Sequence, residues 1–189
     1  MSKGRLEAFS DGVLAIVITI MVLELKAPSE PTVEALRPLV PEFLSYVLSF
    51  VFVGIYWNNH HHLLQAARHV TGWVLWANLH LLFWLSLTPF IMAWMGENVF
   101  ESIPTAAYGC VLLMSAIAYT ILERTIIAYQ GPHSKLAAAV GKDIKAYASL
   151  ALYLSAIPLA FVKPLISDAI YVTVALIWLV PDRRIEKRL

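Results

Sequence analysis

Charged residues are scarce in this chain. They account for 14% of its 189 residues, while hydrophobic residues account for 59% and the mean hydropathy is +0.69. An ordinary soluble domain carries about 25% charged residues, so this composition excludes a water-soluble protein of the usual kind. The formal net charge of +1 gives no general attraction to nucleic acid. The composition therefore predicts a membrane protein in which any functional charge acts locally.

Cysteine is almost absent. Cys110 has no second cysteine in the chain, which excludes an intrachain disulfide and a cysteine-rich metal site. Because Cys110 lies in an apolar run, we expect its thiol to be buried.

Short polar connections separate six apolar segments. A helix needs about 20 apolar residues to cross a hydrocarbon core of about 30 Å. The segments lack the alternating pattern of barrel strands, so we expect helices, with bends at Pro89 and Pro158. The predicted spans are 6–25, 43–64, 73–95, 106–128, 146–162 and 165–180, of which the last two are short. No connection is long enough for a soluble domain, so residues 1–189 are predicted to form one all-α domain of six transmembrane helices.

Lysine and arginine are unevenly distributed between the connections. They fall on one side of the predicted membrane, at Lys3 and Arg5, Arg68, Lys135, Lys142, Lys145 and the tail 182–188. The alternate connections are acidic or nearly balanced. The positive-inside rule then places both termini in the cytoplasm. We expect a multi-pass protein of the cell (plasma) membrane.

The first predicted helix combines a polar end with an apolar stripe. Arg5, Ser10 and Asp11 lie at or within the span, where ionisable and polar groups need partners. At about 100° per residue, Ile16, Ile20 and Leu23 share one stripe, with Gly12 and Thr19 beside it. Periodicity alone favours contact with lipid or another helix, because any spanning helix has apolar stripes.

Two sequence patterns resemble a known family. Arg5-x-x-x-Phe9-Ser10-Asp11 opens the first span, and the third span contains Asn78-Leu-His-Leu-Leu-Phe-Trp84 and ends in Thr88-Pro-Phe90. Together they resemble the transmembrane protein 175 family, the lysosomal and prokaryotic potassium channels. The length and the six spans are similar to the prokaryotic members.

The resemblance implies a homotetramer with a central pore lined by the first helix, in which each subunit is one six-span unit. It implies a cation channel with modest selectivity for potassium over sodium, whose hydrophobic constriction replaces a carbonyl filter. Consistent with that, no Thr-Val-Gly-Tyr-Gly run occurs. Carried over by offset from the motif, the constriction residues are Ile16, Thr19, Ile20 and Leu23. The implied partners are other copies of the chain, the bilayer and permeant potassium ions, with no cofactor, no metal and no nucleic acid.

An ionised Asp11 needs a partner in the membrane. Arg5 from the first span and His80 from the third are the candidates. The resemblance implies a network that braces the pore helix, made of Arg5, Phe9, Ser10, Asp11 and His80. His80 shares a helix face with Trp73, Trp76 and Phe83, which also fits a packed histidine.

The run His60-His61-His62 raises the question of a metal site. Consecutive helical residues point about 100° apart, so at most two of the three rings could share a ligand. No carboxylate lies close in sequence. We therefore interpret the run as a polar cluster near the membrane interface.

Two other functions remain open from the sequence: a secondary transporter and a proton-conducting channel of the same bundle. A transporter needs polar groups near the middle of the membrane, but the residues around Pro89 and Pro158 are mostly apolar. An enzyme needs a nucleophile with a base or a metal triad, and neither is evident. The sequence thus predicts a channel and no enzymatic activity.

Overall fold

The computed structural model describes residues 2–131, 133–141 and 144–179, and no strand occurs within these ranges. The predicted Val180, Lys142 and the basic tail 182–188 lie outside them. A 3₁₀ turn over Glu34–Leu39 precedes the second helix. The helices are α1 (Lys3–Leu23), α2 (Val40–Ala66), α3 (Gly72–Ser86), α4 (Thr88–Glu97), α5 (Ser102–Gln130), α6 (Lys135–Val140), α7 (Ile144–Leu159) and α8 (Pro164–Leu179). The predicted all-α fold is confirmed.

Each predicted span overlaps helix, although 6–25 and 146–162 run past the ends of α1 and α7. Within the described ranges, four stretches are long and apolar enough to cross a membrane: Lys3–Leu23, Glu34–Ala66, Gly72–Glu97 and Ser102–Gln130. The remaining two, α7 and α8, are apolar helices of 16 residues each. At 1.5 Å per residue such a helix is about 24 Å long, shorter than a core of about 30 Å. The chain is therefore a multi-span membrane protein.

The third span is broken, so that α3 and α4 are separate helices. The break lies at Leu87, which ends α3 and caps α4. Pro89 causes it because proline has no N–H to donate to the carbonyl four residues earlier, while it is tolerated in a helix's first turn. The bend predicted at Pro89 is confirmed. Pro158 instead lies in the last turn of α7, which ends at Leu159.

The helices pack around two apolar clusters. One joins residues of α1 to α6, and the other joins residues of α2, α4, α5, α7 and α8. α5 contacts α3, α4, α7 and α8, whereas α1 packs on α2, α3 and α4 at one edge of the bundle. Cys110 lies exposed on α5, so the predicted burial of its thiol is wrong.

Candidate functional site

One face of α1 is held in the core. Leu6, Ser10, Leu14, Val17 and Met21 are buried, at intervals of three or four residues. This spacing places them on one side of the helix, where they contact α2, α3 and α4. These contacts fix the rotation of α1 about its own axis, and therefore the direction in which its remaining side chains point.

The other face of α1 is uncovered by the described part of the chain. We call Ile16, Thr19, Ile20 and Leu23 the α1 seam. Ile16 is 59% exposed, Ile20 40% and Leu23 77%, and Thr19 is also exposed. The structure thus brings the four predicted constriction residues together on a single surface, which is open to lipid or to another subunit.

Thr19 is the polar residue of the α1 seam. Its hydroxyl donates to the backbone carbonyl of Ile16 over 2.8 Å. Because the hydroxyl hydrogen is used within the helix, the oxygen lone pairs remain free to accept from water or to contact a cation. The α1 seam therefore combines three aliphatic side chains with one oriented oxygen.

A buried chain of hydrogen bonds anchors α1 to its neighbours. The Ser10 hydroxyl donates to the Leu6 carbonyl over 2.9 Å and accepts from the Asn78 side-chain amide over 3.0 Å. The Asn78 oxygen lies 2.6 Å from Nε2 of His60, which must carry the proton because an amide oxygen only accepts. Ser10, Asn78 and His60 are each at most 2% exposed.

This Ser10–Asn78–His60 network joins α1, α3 and α2. Polar groups inside a membrane protein are costly without partners, and here each one has a partner. Rotating α1 about its axis breaks the bond between Ser10 and Asn78. The network therefore keeps the α1 seam turned away from the core.

Asp11 has a different partner from the one predicted. It is exposed, and its carboxylate accepts a hydrogen bond of 3.0 Å from the indole N–H of Trp57 on α2. The Trp57 ring in turn stacks on His61, with 6.2 Å between ring centroids. The prediction that Arg5 or His80 pairs with Asp11 is therefore wrong.

His80 lies away from the network. Its Nε2 accepts a 3.0 Å hydrogen bond from the indole of Trp84, one turn along α3. His80 follows Asn78 by two residues, or about 200° around the helix, so it points away from α1 when Asn78 points toward it. The histidine that braces α1 comes from the second span, not from the third as predicted.

Arg5 and Phe9 complete the motif, and both are exposed. Phe9 is 49% exposed. Arg5 forms no hydrogen bond or ion pair with the residues that the structure describes. Neither side chain takes part in the Ser10–Asn78–His60 network.

Sequence reasoning missed Trp57, His60 and Asn78 as partners of the motif. A signal was available for His60 and Asn78, because each is a polar residue inside an apolar span and needs a buried partner. For Trp57 there was no comparable signal, since tryptophan is common near membrane interfaces.

The three consecutive histidines have three different environments. His60 belongs to the network, and Nε2 of His61 lies 3.0 Å from the amide nitrogen of Gln65. Nδ1 of His62 is buried without a hydrogen bond in the described part of the chain. Within that part, no three His, Cys, Asp or Glu side chains are placed to hold a metal ion.

Comparison with known proteins points to one family. The sequence profile described as endosomal/lysosomal potassium channel TMEM175 matches residues 5–89. The chain is 57% identical over 189 residues to a potassium channel of Chryseobacterium sp. (strain P1-3), covering 100% of this chain and 98% of that protein. It is 40% identical over 83 residues to the endosomal/lysosomal proton channel TMEM175 of Homo sapiens, covering 38% of this chain and 16% of the human protein.

The fold agrees with the sequence comparison. The structure matches the crystal structure of a lysosomal potassium-selective channel TMEM175 homolog from Chamaesiphon minutus with a TM-score of 0.82 and 28% identity. The match covers 95% of this chain and 97% of that one. Since the Chryseobacterium relative is matched over nearly its whole length, the chain belongs to the TMEM175 family.

Proposed function

We propose that this chain is the subunit of a potassium-selective cation channel, a homotetramer whose α1 helices surround a central pore. The observation that carries the proposal is the division of α1 into two faces. One face is fixed in the core by the Ser10–Asn78–His60 network, while the α1 seam is left uncovered. An N-terminal helix held in this way is suited to present one constant surface to a shared axis.

The relatives support the same function. The Chryseobacterium protein is named a potassium channel, and the Chamaesiphon protein is described as potassium-selective. A pore needs several copies of α1 around one axis, because a single helix encloses nothing. Identical subunits most often assemble with closed symmetry, and cyclic symmetry places copies of one helix around a common axis.

In this proposal the α1 seam provides the selectivity for potassium over sodium. Four copies each of Ile16, Ile20 and Leu23 form a hydrophobic constriction that excludes water when it is narrow. When it is wide enough to conduct, a cation must shed part of its hydration shell. Potassium is larger and more weakly hydrated than sodium, so its dehydration costs less. The Thr19 oxygens replace some of the lost water contacts, which gives a modest preference for potassium.

The proposed orientation places the N-terminal end of α1 in the cytoplasm. Lys3, Arg5 and Arg68 lie at this end of the bundle, whereas Glu97 and Glu101 lie in a connection at the other end. Positive charge is retained on the cytoplasmic side of the plasma membrane. The channel conducts passively, without a cofactor and without enzymatic chemistry.

The test is electrical recording of the purified protein in planar bilayers. Under a potassium gradient we expect unitary current steps and a reversal potential close to that of potassium, shifted only partly by sodium. A flux that saturates without unitary steps contradicts the channel and favours a carrier. Because the human relative is named a proton channel, a pH gradient at constant potassium distinguishes proton conduction, which predicts a reversal potential that follows pH.

A further inference from the structure

Arg5 lies on the same side of α1 as the α1 seam. Starting at Arg5, steps of four and three residues alternate along the helix, which is the spacing of residues that face a common axis in a helical bundle. The residues reached are Arg5, Phe9, Gly12, Ile16, Thr19 and Leu23, and all of them are exposed. Arg5 is 11 residues from Ile16, about three turns and about 16 Å along the axis.

The other charged groups at this end of α1 point elsewhere. Glu7 is about 180° around the helix from Ile16 and Asp11 about 140°. Each also has a partner within its own subunit. The Glu7 carboxylate lies 3.9 Å from the Lys3 ammonium, and Asp11 accepts from Trp57.

Lys3 is likewise directed away from the seam. Its ammonium donates to the Gln65 carbonyl at the end of α2 over 2.8 Å. Arg5 therefore differs from its charged neighbours in two respects. It faces the same way as the proposed constriction, and no acid in the described part of its subunit pairs with it.

We propose that four copies of Arg5 form a cationic ring at the N-terminal mouth of the pore and limit the entry of cations from that side. The inference rests on the proposed tetrameric channel. Rings of charged side chains control permeation by changing the local ion concentration. An arginine keeps its charge at physiological pH, so the ring repels potassium at this mouth and makes the current through an open channel depend on its direction.

Ionic strength gives a test that needs no mutation. The Debye length falls from about 10 Å at 0.1 M salt to about 3 Å at 1 M salt. The ratio of single-channel currents at equal and opposite voltages should therefore differ from one in 0.1 M potassium chloride and move toward one in 1 M. A ratio that is the same at both concentrations overturns the proposal.

The decisive variant is Arg5→Gln in the full-length chain. In 0.1 M potassium chloride we expect it to increase the smaller of the two currents by about twofold or more and to have little effect in 1 M. Arg5→Lys keeps the charge and should behave like the unmodified channel. If Arg5→Gln channels conduct with an unchanged current ratio in 0.1 M salt, Arg5 does not face the pore.

Lys3→Gln is the matched control. It removes the same charge two residues away, on the side of α1 that contacts α2, and should leave the current ratio unchanged. An equal effect of Lys3→Gln means that surface charge in general sets the ratio, which overturns the role of Arg5. If the unmodified protein carries no current at all, it is the proposed channel function that fails.

Discussion

The side-chain amide of Asn78 on α3 donates to the hydroxyl of Ser10 on α1 across 3.0 Å, and the two residues are 68 positions apart in sequence. The bond lies on the buried side of α1, about 120° around the helix from Ile16. It continues to His60, so three helices share one set of polar contacts. Apolar contacts have no preferred direction, so in a bundle of largely apolar side chains such a bond specifies the rotation of α1.

Ser10→Ala tests the contribution of this bond to stability. The change leaves the buried Asn78 amide without its acceptor, and an unpaired buried donor costs about 1–3 kcal/mol. We expect a clear decrease in the thermal unfolding temperature in detergent, measured by circular dichroism. Ser86→Ala is the control, because the Ser86 hydroxyl is exposed and only donates to the Phe83 carbonyl. Equal decreases for the two variants contradict an anchoring role for Ser10.

Ile16→Ala and Leu14→Ala separate the two faces of α1. Ile16 is 59% exposed and Leu14 is 1% exposed. Shortening Ile16 widens the proposed constriction, so we expect a larger conductance and a greater sodium permeability with little loss of stability. Truncating a buried leucine costs about 2–5 kcal/mol, so Leu14→Ala should lower the unfolding temperature without changing the selectivity of channels that assemble. Reversal potentials in mixed potassium and sodium solutions measure the difference in selectivity between the two variants.

If Ile16→Ala channels keep their conductance and reversal potential, Ile16 does not line the pore. If Ile16→Ala instead destabilises the subunit as much as Leu14→Ala, then Ile16 is packed against other side chains in the way that Leu14 is, which contradicts its exposed position.

The spans could be read from the sequence because a long apolar run in lipid has to form a helix. The orientation of side chains within those helices was harder to predict. For α1, the 3.6-residue period grouped Ile16, Ile20 and Leu23 on one face. The partner of Asp11 was missed because hydropathy does not specify how α2 and α3 are rotated against α1. That rotation depends on packing between residues distant in sequence, such as Trp57 with Asp11 and His60 with Asn78.

Trp57→Phe tests the contact with Asp11. Phenylalanine keeps an aromatic ring beside His61 but has no N–H to donate to the carboxylate. The Asp11 carboxylate lies at the surface of the subunit and can turn to another donor, so we expect a loss of stability below about 1 kcal/mol. Asp11→Asn keeps an oxygen that accepts from Trp57 and should retain the stability of the unmodified chain. A loss for Trp57→Phe as large as that for Ser10→Ala contradicts this ranking of the two contacts.

Gly96 permits the close approach of α4 to α2. A Cβ atom added to Gly96 lies 2.6 Å from the Ser45 hydroxyl oxygen and 2.7 Å from the Cα atom of Glu42. The serine side chain can turn away, but the backbone at Glu42 cannot move without shifting α2. Overpacking of this kind costs about 1–3 kcal/mol, so Gly96→Ala should lower the unfolding temperature in detergent.

Gly54→Ala, within α2, provides the comparison. A Cβ atom added there meets no atom within 4 Å, and alanine is favoured over glycine inside a helix by about 0.5–1 kcal/mol. We therefore expect the two Gly→Ala changes to act in opposite directions, with Gly54→Ala neutral or stabilising. If Gly96→Ala is tolerated as well as Gly54→Ala, then α2 and α4 do not approach as closely in the membrane as the structure indicates.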